Sequence, residues 1–227
     1  MSAAVVAVSG TGTGVGKTYV ATALTLALAS RGSVVAVKPY ESGHGGPFGP
    51  DQRALAEAST IDVTELGLRV RCFPDAVAPP EAARRVGERV DLWSFLARFQ
   101  AARARFSGMV VLELAGGIHS PFDDAHTNAA VLRALAPEHH LLVAPNRLGV
   151  LHDARATVRA ARADGLIFDA LVLSQTAAKG ADASCDSNAR ALETLVHSTP
   201  IVLEHGAVTA AAATLGAAWS AGAFRRR

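Results

Sequence analysis

A glycine-rich stretch near the amino terminus carries the residues best suited to chemistry. Residues 10–18 read GTGTGVGKT and lie between an apolar, β-branched run and an Ala/Leu-rich segment. Glycines let the backbone turn several N–H groups toward one point, and the dipole of a following helix adds positive potential there. Lys17 would reach the β- and γ-phosphates of a nucleotide, and the Thr18 hydroxyl would ligate Mg²⁺. The stretch therefore predicts a nucleoside triphosphate site.

Two other interpretations of this stretch are a glycine-rich turn that binds nothing and a Rossmann dinucleotide site. Lysine is rare in the chain, with only Lys17, Lys38 and Lys179 among 22 basic residues, so a lysine in a motif indicates a need for an ammonium group. A dinucleotide site has an acidic residue at the end of its second strand, where this chain has Lys38. Both observations favour the triphosphate site.

Glu113 is the first candidate for a carboxylate ligand of that Mg²⁺. It follows the apolar residues Val110, Val111 and Leu112 and precedes Ala-Gly-Gly, which places it at the end of a predicted buried strand. A carboxylate in an apolar strand is costly unless it is paired or bound to a metal. The alternative is a strand-end glutamate that reaches solvent.

Predicted strands and helices alternate along the whole chain. Strands are predicted at 3–9, 33–37, 109–114, 140–144, 168–173 and 200–203, with a short one near 68–70. Helices are predicted at 18–30, 51–59 (capped by Asp51), 92–106, 127–135, 151–163, 187–196 and 208–221, with another after Pro79-Pro80 and a loop at 40–50. This alternation predicts one α/β domain over residues 1–227, doubly wound around a mostly parallel sheet of the P-loop NTPase type.

The composition narrows the function classes. Of 227 residues, 50% are hydrophobic and 19% are charged, which excludes a disordered chain. A net charge of +2, with no basic stripe outside the terminal arginines, argues against nucleic acid binding. Cys72 and Cys185 form no metal or redox pattern, and no signal peptide or membrane span is predicted, so we expect a cytoplasmic protein. The eight histidines are expected at the surface or an interface, and Trp93 and Trp219 in the core.

Four motifs together resemble the dethiobiotin synthetase family. They are GTGTGVGKT at 10–18, KPYESG at 38–43, ELAGG at 113–117 and NRLGVLH at 146–152, in the order and intervals of that family. The resemblance implies an ATP-dependent cyclo-ligase of biotin synthesis that converts 7,8-diaminononanoate and CO₂ to a cyclic urea. It also implies ATP and Mg²⁺ as cofactors and a homodimer with the substrate near the subunit interface.

The resemblance also assigns roles to individual residues. It implies a catalytic set of Lys38, Lys17 and Thr13, and a substrate-binding set of Thr13, Lys38 and Ser42. It implies Mg²⁺ ligation by Thr18, Asp51 and Glu113, although Asp51 could instead serve only as a helix cap. The implied ATP-binding residues are Gly14, Val15, Gly16, Lys17, Thr18, Tyr19, Asp51, Glu113, Leu114, Ala115, Gly116, Gln175, Thr176, Glu204, His205 and Gly206.

The chain departs from the family pattern at several positions. Leu114 replaces a usual glycine, and Gln175-Thr176 replaces an Asn-Asp pair that reads adenine. One alternative function is a partition- or septum-type regulatory ATPase, which carries a further signature lysine early in the loop that this chain lacks. Another is a synthetase of the cobyric acid type, whose glutaminase domain would not fit in 227 residues.

Overall fold

Six parallel strands form the central sheet. A computed structural model of the chain describes residues 2–175, 182–195 and 199–224. The strands of this sheet are β1 (Ala4–Gly10), β2 (Val34–Val37), β5 (Met109–Glu113), β6 (His139–Pro145), β7 (Ala170–Ser174) and β8 (Ile201–Leu203). Their spatial order is β2-β5-β1-β6-β7-β8. The predicted doubly wound parallel sheet is therefore confirmed.

Helices cover both faces of the sheet. They are α1 (Lys17–Ala29), α2 (Pro50–Ala58), α3 (Pro79–Arg85), α4 (Leu92–Arg105), α5 (Asn128–Leu135), α6 (Val150–Ala163), α7 (Cys185–Leu192) and α8 (Val208–Ser220). One apolar cluster packs α1, α2 and α8 against one face, and a second packs α4 to α7 against the other. Alternate residues of β1 enter the two clusters, because successive strand side chains point to opposite faces. None of the helices in the described part of the chain is long and apolar enough to cross a membrane.

The register of the strands sets the geometry of the predicted site. β1 lies beside β5 with Val8 opposite Glu113, and β2 lies beside β5 with Val37 opposite Leu112. Lys38, the next residue after β2, therefore lies next to Glu113. The glycine-rich loop follows β1 directly, at the same carboxyl edge of the sheet, where open α/β sheets bind ligands.

A small second sheet corrects two sequence predictions. The segment 40–50, predicted as a loop, begins with strand β3 (Tyr40–Ser42), and the strand predicted near 68–70 lies instead at β4 (Arg71–Phe73). β3 and β4 pair in parallel, with Glu41 opposite Cys72. Strands of three residues with mixed polarity leave little periodic signal, so their pairing over a long sequence distance was not predictable from local pattern.

Three further predictions on single residues were wrong. Helix α2 begins at Pro50 with Gly49 as its N-cap, so Asp51 lies in the first turn and does not cap the helix. Trp93 is 64% exposed, because Leu92, Phe95, Leu96 and Phe99 form the buried stripe of α4 and Trp93 lies outside it. His140 is buried rather than at the surface, where its Nε2 lies 2.8 Å from the Ser9 hydroxyl.

Candidate active site

The glycine-rich loop folds around its own lysine. The Lys17 side chain is buried, and its ammonium donates a hydrogen bond to the Gly12 carbonyl at 2.8 Å. Gly16 has a φ of +92°, and a Cβ there would lie 2.5 Å from the Ser174 hydroxyl at the end of β7. Only glycine combines that backbone conformation with so close an approach. The loop is therefore packed tightly against the strand ends before α1 begins.

An ionic cluster joins the ends of β2 and β5 to the start of α2. The Lys38 ammonium contacts Oε1 of Glu113 at 2.9 Å and also pairs with the Asp51 carboxylate. The Thr18 hydroxyl donates to the same Glu113 oxygen at 3.0 Å. Glu113 is fully buried, so its charge is compensated by these partners rather than by solvent. The alternative of a strand-end glutamate that reaches solvent is excluded.

The two lysines of the site have opposite pKa shifts. Burial of the Lys17 ammonium lowers its pKa to about 8; Glu113 opposes this shift, whereas the positive charge of Lys38 adds to it. Burial also disfavours the charged form of Lys38, but the carboxylates of Glu113 and Asp51 outweigh it and raise the pKa of Lys38 above the ordinary lysine value. Lys38 is therefore a fixed cation, whereas Lys17 has a positive charge that an anionic ligand would stabilise.

A cavity of about 660 Å³ opens over these charges. Most of the predicted site residues line it: Thr13, Gly14, Gly16, Lys17, Thr18, Tyr19, Lys38, Ser42, Asp51, Glu113, Ala115 and Gly116. Its volume is within the range of small-ligand sites. The Ser42 hydroxyl donates to the Val77 carbonyl at 2.7 Å, which leaves its oxygen able to accept a hydrogen bond. The structure thus gathers both lysines, both carboxylates and the two proposed substrate-binding hydroxyls around one space.

The loop after β5 forms a second wall of this cavity. The buried Asn128 side chain donates to the carbonyls of Ala115 and Gly117, at 2.7 and 2.8 Å. The Ser120 hydroxyl accepts a hydrogen bond from the Gly117 N–H at 2.8 Å. Leu114 turns away from this wall, because its side chain lies in the apolar core. The leucine at this position therefore leaves the cavity unobstructed.

The donor atoms at the cavity floor are suitable for Mg²⁺. Mg²⁺ is usually held by one or two carboxylates, together with water and substrate phosphates, and the oxygens of Thr18, Asp51 and Glu113 are hard ligands of that kind. Oε2 of Glu113 is buried and has no hydrogen-bond partner within the described residues, so it is available to a cation. Among these residues no cluster of three or more His, Cys, Asp or Glu side chains could hold a metal alone. A metal at this floor would therefore depend on the nucleotide for further ligands.

Some residues predicted to bind ATP, namely Gln175, Glu204, His205 and Gly206, do not line the cavity. The Gln175 N–H donates to the Leu203 carbonyl at 2.9 Å, and the buried Gln175 Oε1 has no partner in the described chain. The Tyr19 hydroxyl lies 3.3 Å from the Glu204 carbonyl and 3.5 Å from that of Ala207. Tyr19 thereby connects α1 to the loop that holds Glu204, His205 and Gly206, which line no part of the cavity. Val15 is buried in the core, and Thr176 lies outside the described residues.

Sequence reasoning missed several residues of the cavity. Its lining also includes Glu41, His44, Ala76, Val77, Ala78, Pro79, Ser120 and Pro121. These positions come from β3 and the loop after it, from the segment between β4 and α3 together with the first residue of α3, and from the loop after β5. A glutamate beside the KP dipeptide was the one available signal. Its meaning depends on the β3–β4 pairing that the local pattern did not indicate.

Comparison with known proteins extends the likeness to most of the chain. A family model described as "AAA domain" matches residues 4–213. The ATP-dependent dethiobiotin synthetase of Anaeromyxobacter dehalogenans (strain 2CP-C) is 36% identical over 197 residues, which cover 86% of this chain and 87% of that protein. The corresponding synthetase of Caulobacter sp. (strain K31) is 35% identical over 224 residues, covering 96% of this chain and 90% of that protein.

Solved structures with low sequence identity share the fold. A ParA family ATPase from Chlorobium tepidum TLS has a TM-score of 0.54 at 15% identity and covers 96% of this chain and 93% of its own. Chloroplast FtsY from Physcomitrella patens has a TM-score of 0.53 at 16% identity, over 96% of this chain and 65% of its own. These likenesses show the nucleotide-binding fold alone. The sequence identity over nearly the full length, together with the lysine and carboxylate cluster, shows that this chain belongs to the ATP-dependent dethiobiotin synthetase family.

Proposed function

We propose that this chain uses ATP and Mg²⁺ to join CO₂ to 7,8-diaminononanoate and close the cyclic urea of dethiobiotin. The observation that carries the proposal is the arrangement of Lys17, Lys38, Asp51 and Glu113 at the edge of one cavity, in a chain of this family. Phosphoryl transfer needs charge neutralisation and positioning rather than a protein nucleophile. The cavity offers two lysine ammonium groups for neutralisation, and the carboxylates of Asp51 and Glu113 to position a cation.

The proposed reaction has three bond-forming steps. An amine of the substrate and CO₂ form a carbamate, and the amine loses a proton. A carbamate oxygen then bonds to the γ-phosphorus of ATP while the bond from that phosphorus to the ADP oxygen breaks. Finally, the second amine attacks the carbamate carbon, inorganic phosphate leaves, and that amine releases its proton.

We assign parts in these steps to the loop and to residues that line the cavity. Backbone N–H groups of the loop and Lys17 hold the β- and γ-phosphates. Lys38 lies between the carbamate and the γ-phosphate, two anions whose approach a fixed cation favours. Thr13 and Ser42 hold the carbamate or the substrate amine by hydrogen bonds. Thr18, Asp51 and Glu113 hold Mg²⁺, which when bound neutralises charge on the phosphates.

The family also leads us to propose a homodimer that acts in the cytoplasm, with the diamino acid and CO₂ as its small-molecule partners. We further propose that Gln175, Tyr19 and the loop at 204–206 form the base end of the nucleotide site. The unpartnered Gln175 Oε1 supports this assignment, because a buried polar atom favours a hydrogen-bond partner. Glutamine is longer than the asparagine of the family, so we expect its hydrogen bonds to adenine to be weaker.

A kinetic experiment tests the function. Phosphate release is measured with ATP and Mg²⁺, with and without the diamine and bicarbonate. We expect release to require both, and Lys17→Ala to lower it at least about 100-fold, the scale of losing one transition-state charge contact. Arg89→Ala is the matched control, because it removes a cation whose side chain is 83% exposed. Equal hydrolysis without the diamine would instead support a regulatory ATPase.

A further inference from the structure

Glu41 is a buried carboxylate to which the proposed reaction assigns no role. It lies in the middle of β3 and is 4% exposed, at the edge of the cavity. Its oxygens accept hydrogen bonds from the backbone N–H groups of Asp51 at 3.2 Å and Gln52 at 2.9 Å. Both N–H groups belong to the first turn of α2, where no preceding carbonyl of the helix can accept them. Glu41, which lies on β3, therefore caps the N-terminus of α2.

The start of α2 is built to receive this carboxylate. Its N-cap residue is Gly49, which has no side chain to accept the free N–H groups. A Cβ at Gly49 would overlap the Glu41 carboxyl group, so the glycine is what admits it. A negative charge at a helix N-terminus is also favoured by the helix dipole. Gly49 and Glu41 together thus satisfy the free N–H groups that a single Ser or Asp at the N-cap usually satisfies.

The same turn of α2 connects to the charged cluster through its side chains. The Asp51 carboxylate pairs with the Lys38 ammonium. The buried Gln52 amide donates to the Lys38 carbonyl at 3.0 Å and to the Arg71 carbonyl at 3.1 Å. The backbone of Asp51 is held by Glu41, and its neighbour Gln52 is held by the backbone that carries Lys38. The position of the Asp51 carboxylate is thereby fixed relative to the strand ends.

We infer that Glu41 is a positioning residue that sets Asp51 for Mg²⁺ binding by capping the first turn of α2. The inference rests on the proposed function, because the metal role of Asp51 belongs to it. Removal of Glu41 frees two N–H groups and loosens the turn without removing any metal ligand. Metal affinity should fall, whereas phosphate chemistry at saturating metal should be largely retained.

The test measures metal binding directly, with Mn²⁺ as the probe. Free Mn²⁺ is followed by electron paramagnetic resonance during titration of the full chain with a non-hydrolysable ATP analogue present. We expect Glu41→Ala to weaken Mn²⁺ binding about tenfold, about 1.4 kcal/mol. In assays, the Mg²⁺ concentration for half-maximal rate should rise similarly, with kcat changed less than about threefold. Glu41→Gln, which keeps acceptor oxygen, should restore part of the affinity.

Asp91→Ala is the matched control for a loss of helix capping. The Asp91 carboxylate caps α4 by accepting the Ser94 N–H at 2.7 Å, and it lines no part of the cavity. We expect this variant to melt at a lower temperature and to bind Mn²⁺ like the wild type. Equal Mn²⁺ affinity in Glu41→Ala, Glu41→Gln and Asp91→Ala would overturn the inference. If Glu41→Ala does not fold, the inference is overturned when Glu41→Gln binds Mn²⁺ as tightly as the wild type.

A third variant separates this inference from the proposed function. Asp51→Asn removes a proposed metal ligand and leaves its backbone N–H in place to bond Glu41. If Asp51→Asn binds Mn²⁺ as tightly as the wild type, the metal assignment in the proposed function is wrong. If Asp51→Asn weakens binding and both Glu41 variants do not, only the positioning role of Glu41 is wrong.

Discussion

The Lys38 side chain links three segments that are distant in sequence: the end of β2, the end of β5 and the first turn of α2. Its carboxylate partners, Glu113 and Asp51, raise its pKa, so it stays protonated through the neutral range. A simple nucleotide hydrolase has no fixed need for a cation after its second strand. An enzyme that brings a carbamate to a γ-phosphate does need one.

Lys38→Ala is expected to lower dethiobiotin formation at least about 100-fold, because two anions then approach without a cation between them. Nucleotide affinity should change only a few-fold, since Lys17 and the loop N–H groups remain. Lys38→Arg keeps the charge and controls for the lost ion pairs, yet it should also be impaired, because a planar guanidinium is broader than an ammonium. Calorimetry measures binding, and mass spectrometry measures product. Product formation near the wild-type rate in Lys38→Ala would contradict the mechanism.

At this scale, short motifs predicted which charged residues share the cavity, but not the residue that orients them. Lys17 and Thr18 were predictable because a glycine-rich loop between strand and helix has one well-known use, and Glu113 because a buried carboxylate needs a partner. Glu41 was not identified, since its role depends on two N–H groups ten and eleven residues away on another element. The exposed Trp93 was predicted wrongly because hydrophobicity was considered without its position relative to the buried stripe of α4.

At the scale of elements, Asp123 also holds the loop between β5 and α5. The side chain of Asp123 is 8% exposed and accepts hydrogen bonds from the N–H groups of Leu92, Ala125 and His126. Burial opposes ionisation of this carboxyl group, but these backbone donors and the His126 ring outweigh it and lower its pKa. Asp123 therefore ties the start of α4 to the loop that continues from the cavity wall.

The stabilisation by Asp123 should be lost as the pH falls. Because the pKa of Asp123 is lower in the folded state than the unfolded value of 3.8, its contribution is complete above that value. It is lost as the pH falls through the folded-state pKa. Asp123→Asn is expected to lower the free energy of unfolding by about 2 kcal/mol at pH 7, on the scale of hydrogen bonds to a charged group. The gap to wild type should narrow below pH 3.8.

Urea unfolding of both proteins at a series of pH values measures that gap. Asp124→Asn is the neighbouring control, because the Asp124 side chain is 44% exposed and pairs with Arg84 at the surface. Exposed ion pairs contribute at most about 1 kcal/mol. A constant difference between Asp123→Asn and wild type from pH 7 to pH 3 would contradict the assignment.

The central strands were predictable as elements because buried parallel strands are continuous apolar runs. The predicted strand at 3–9 and the observed β1 (Ala4–Gly10) differ by one residue at each end. β3 and β4 could not be predicted in the same way. They have three residues each, too few to show a periodic pattern, and they pair with each other over a long sequence distance.

At the scale of the whole molecule, the two apolar clusters pack on opposite faces of the same sheet. Val5 and Ala7 of β1 belong to one cluster, and Val6 and Val8 belong to the other. Because β1 contributes to both clusters, loss of the helices from either face would expose apolar side chains of the same strands. This arrangement predicts that residues 1–227 unfold as a single domain.

The two tryptophans report on opposite faces and allow a direct test. Trp93 lies on α4 with its ring 6.0 Å from that of His126, and Trp219 lies on α8 with its ring 5.1 Å from that of Phe224. Trp93→Phe and Trp219→Phe each leave one fluorescent reporter. We expect the fluorescence transitions in urea to coincide with each other and with circular dichroism, as in two-state unfolding. Separate midpoints would show that the faces are independent units.

The pairing of Lys38 with two carboxylates also affects how the fold responds to the concentration of divalent cations. The positive charges of Lys17 and Lys38 equal the negative charges of Asp51 and Glu113, so these four groups are electrically neutral as a set. A domain that relies on a metal to offset its carboxylates unfolds in a chelator. This site supplies its own counterion, so we expect the fold to survive the removal of divalent ions, whereas the proposed Mg²⁺-dependent catalysis would stop. Under the proposed function, an incoming metal–nucleotide complex would exchange partners with these four groups.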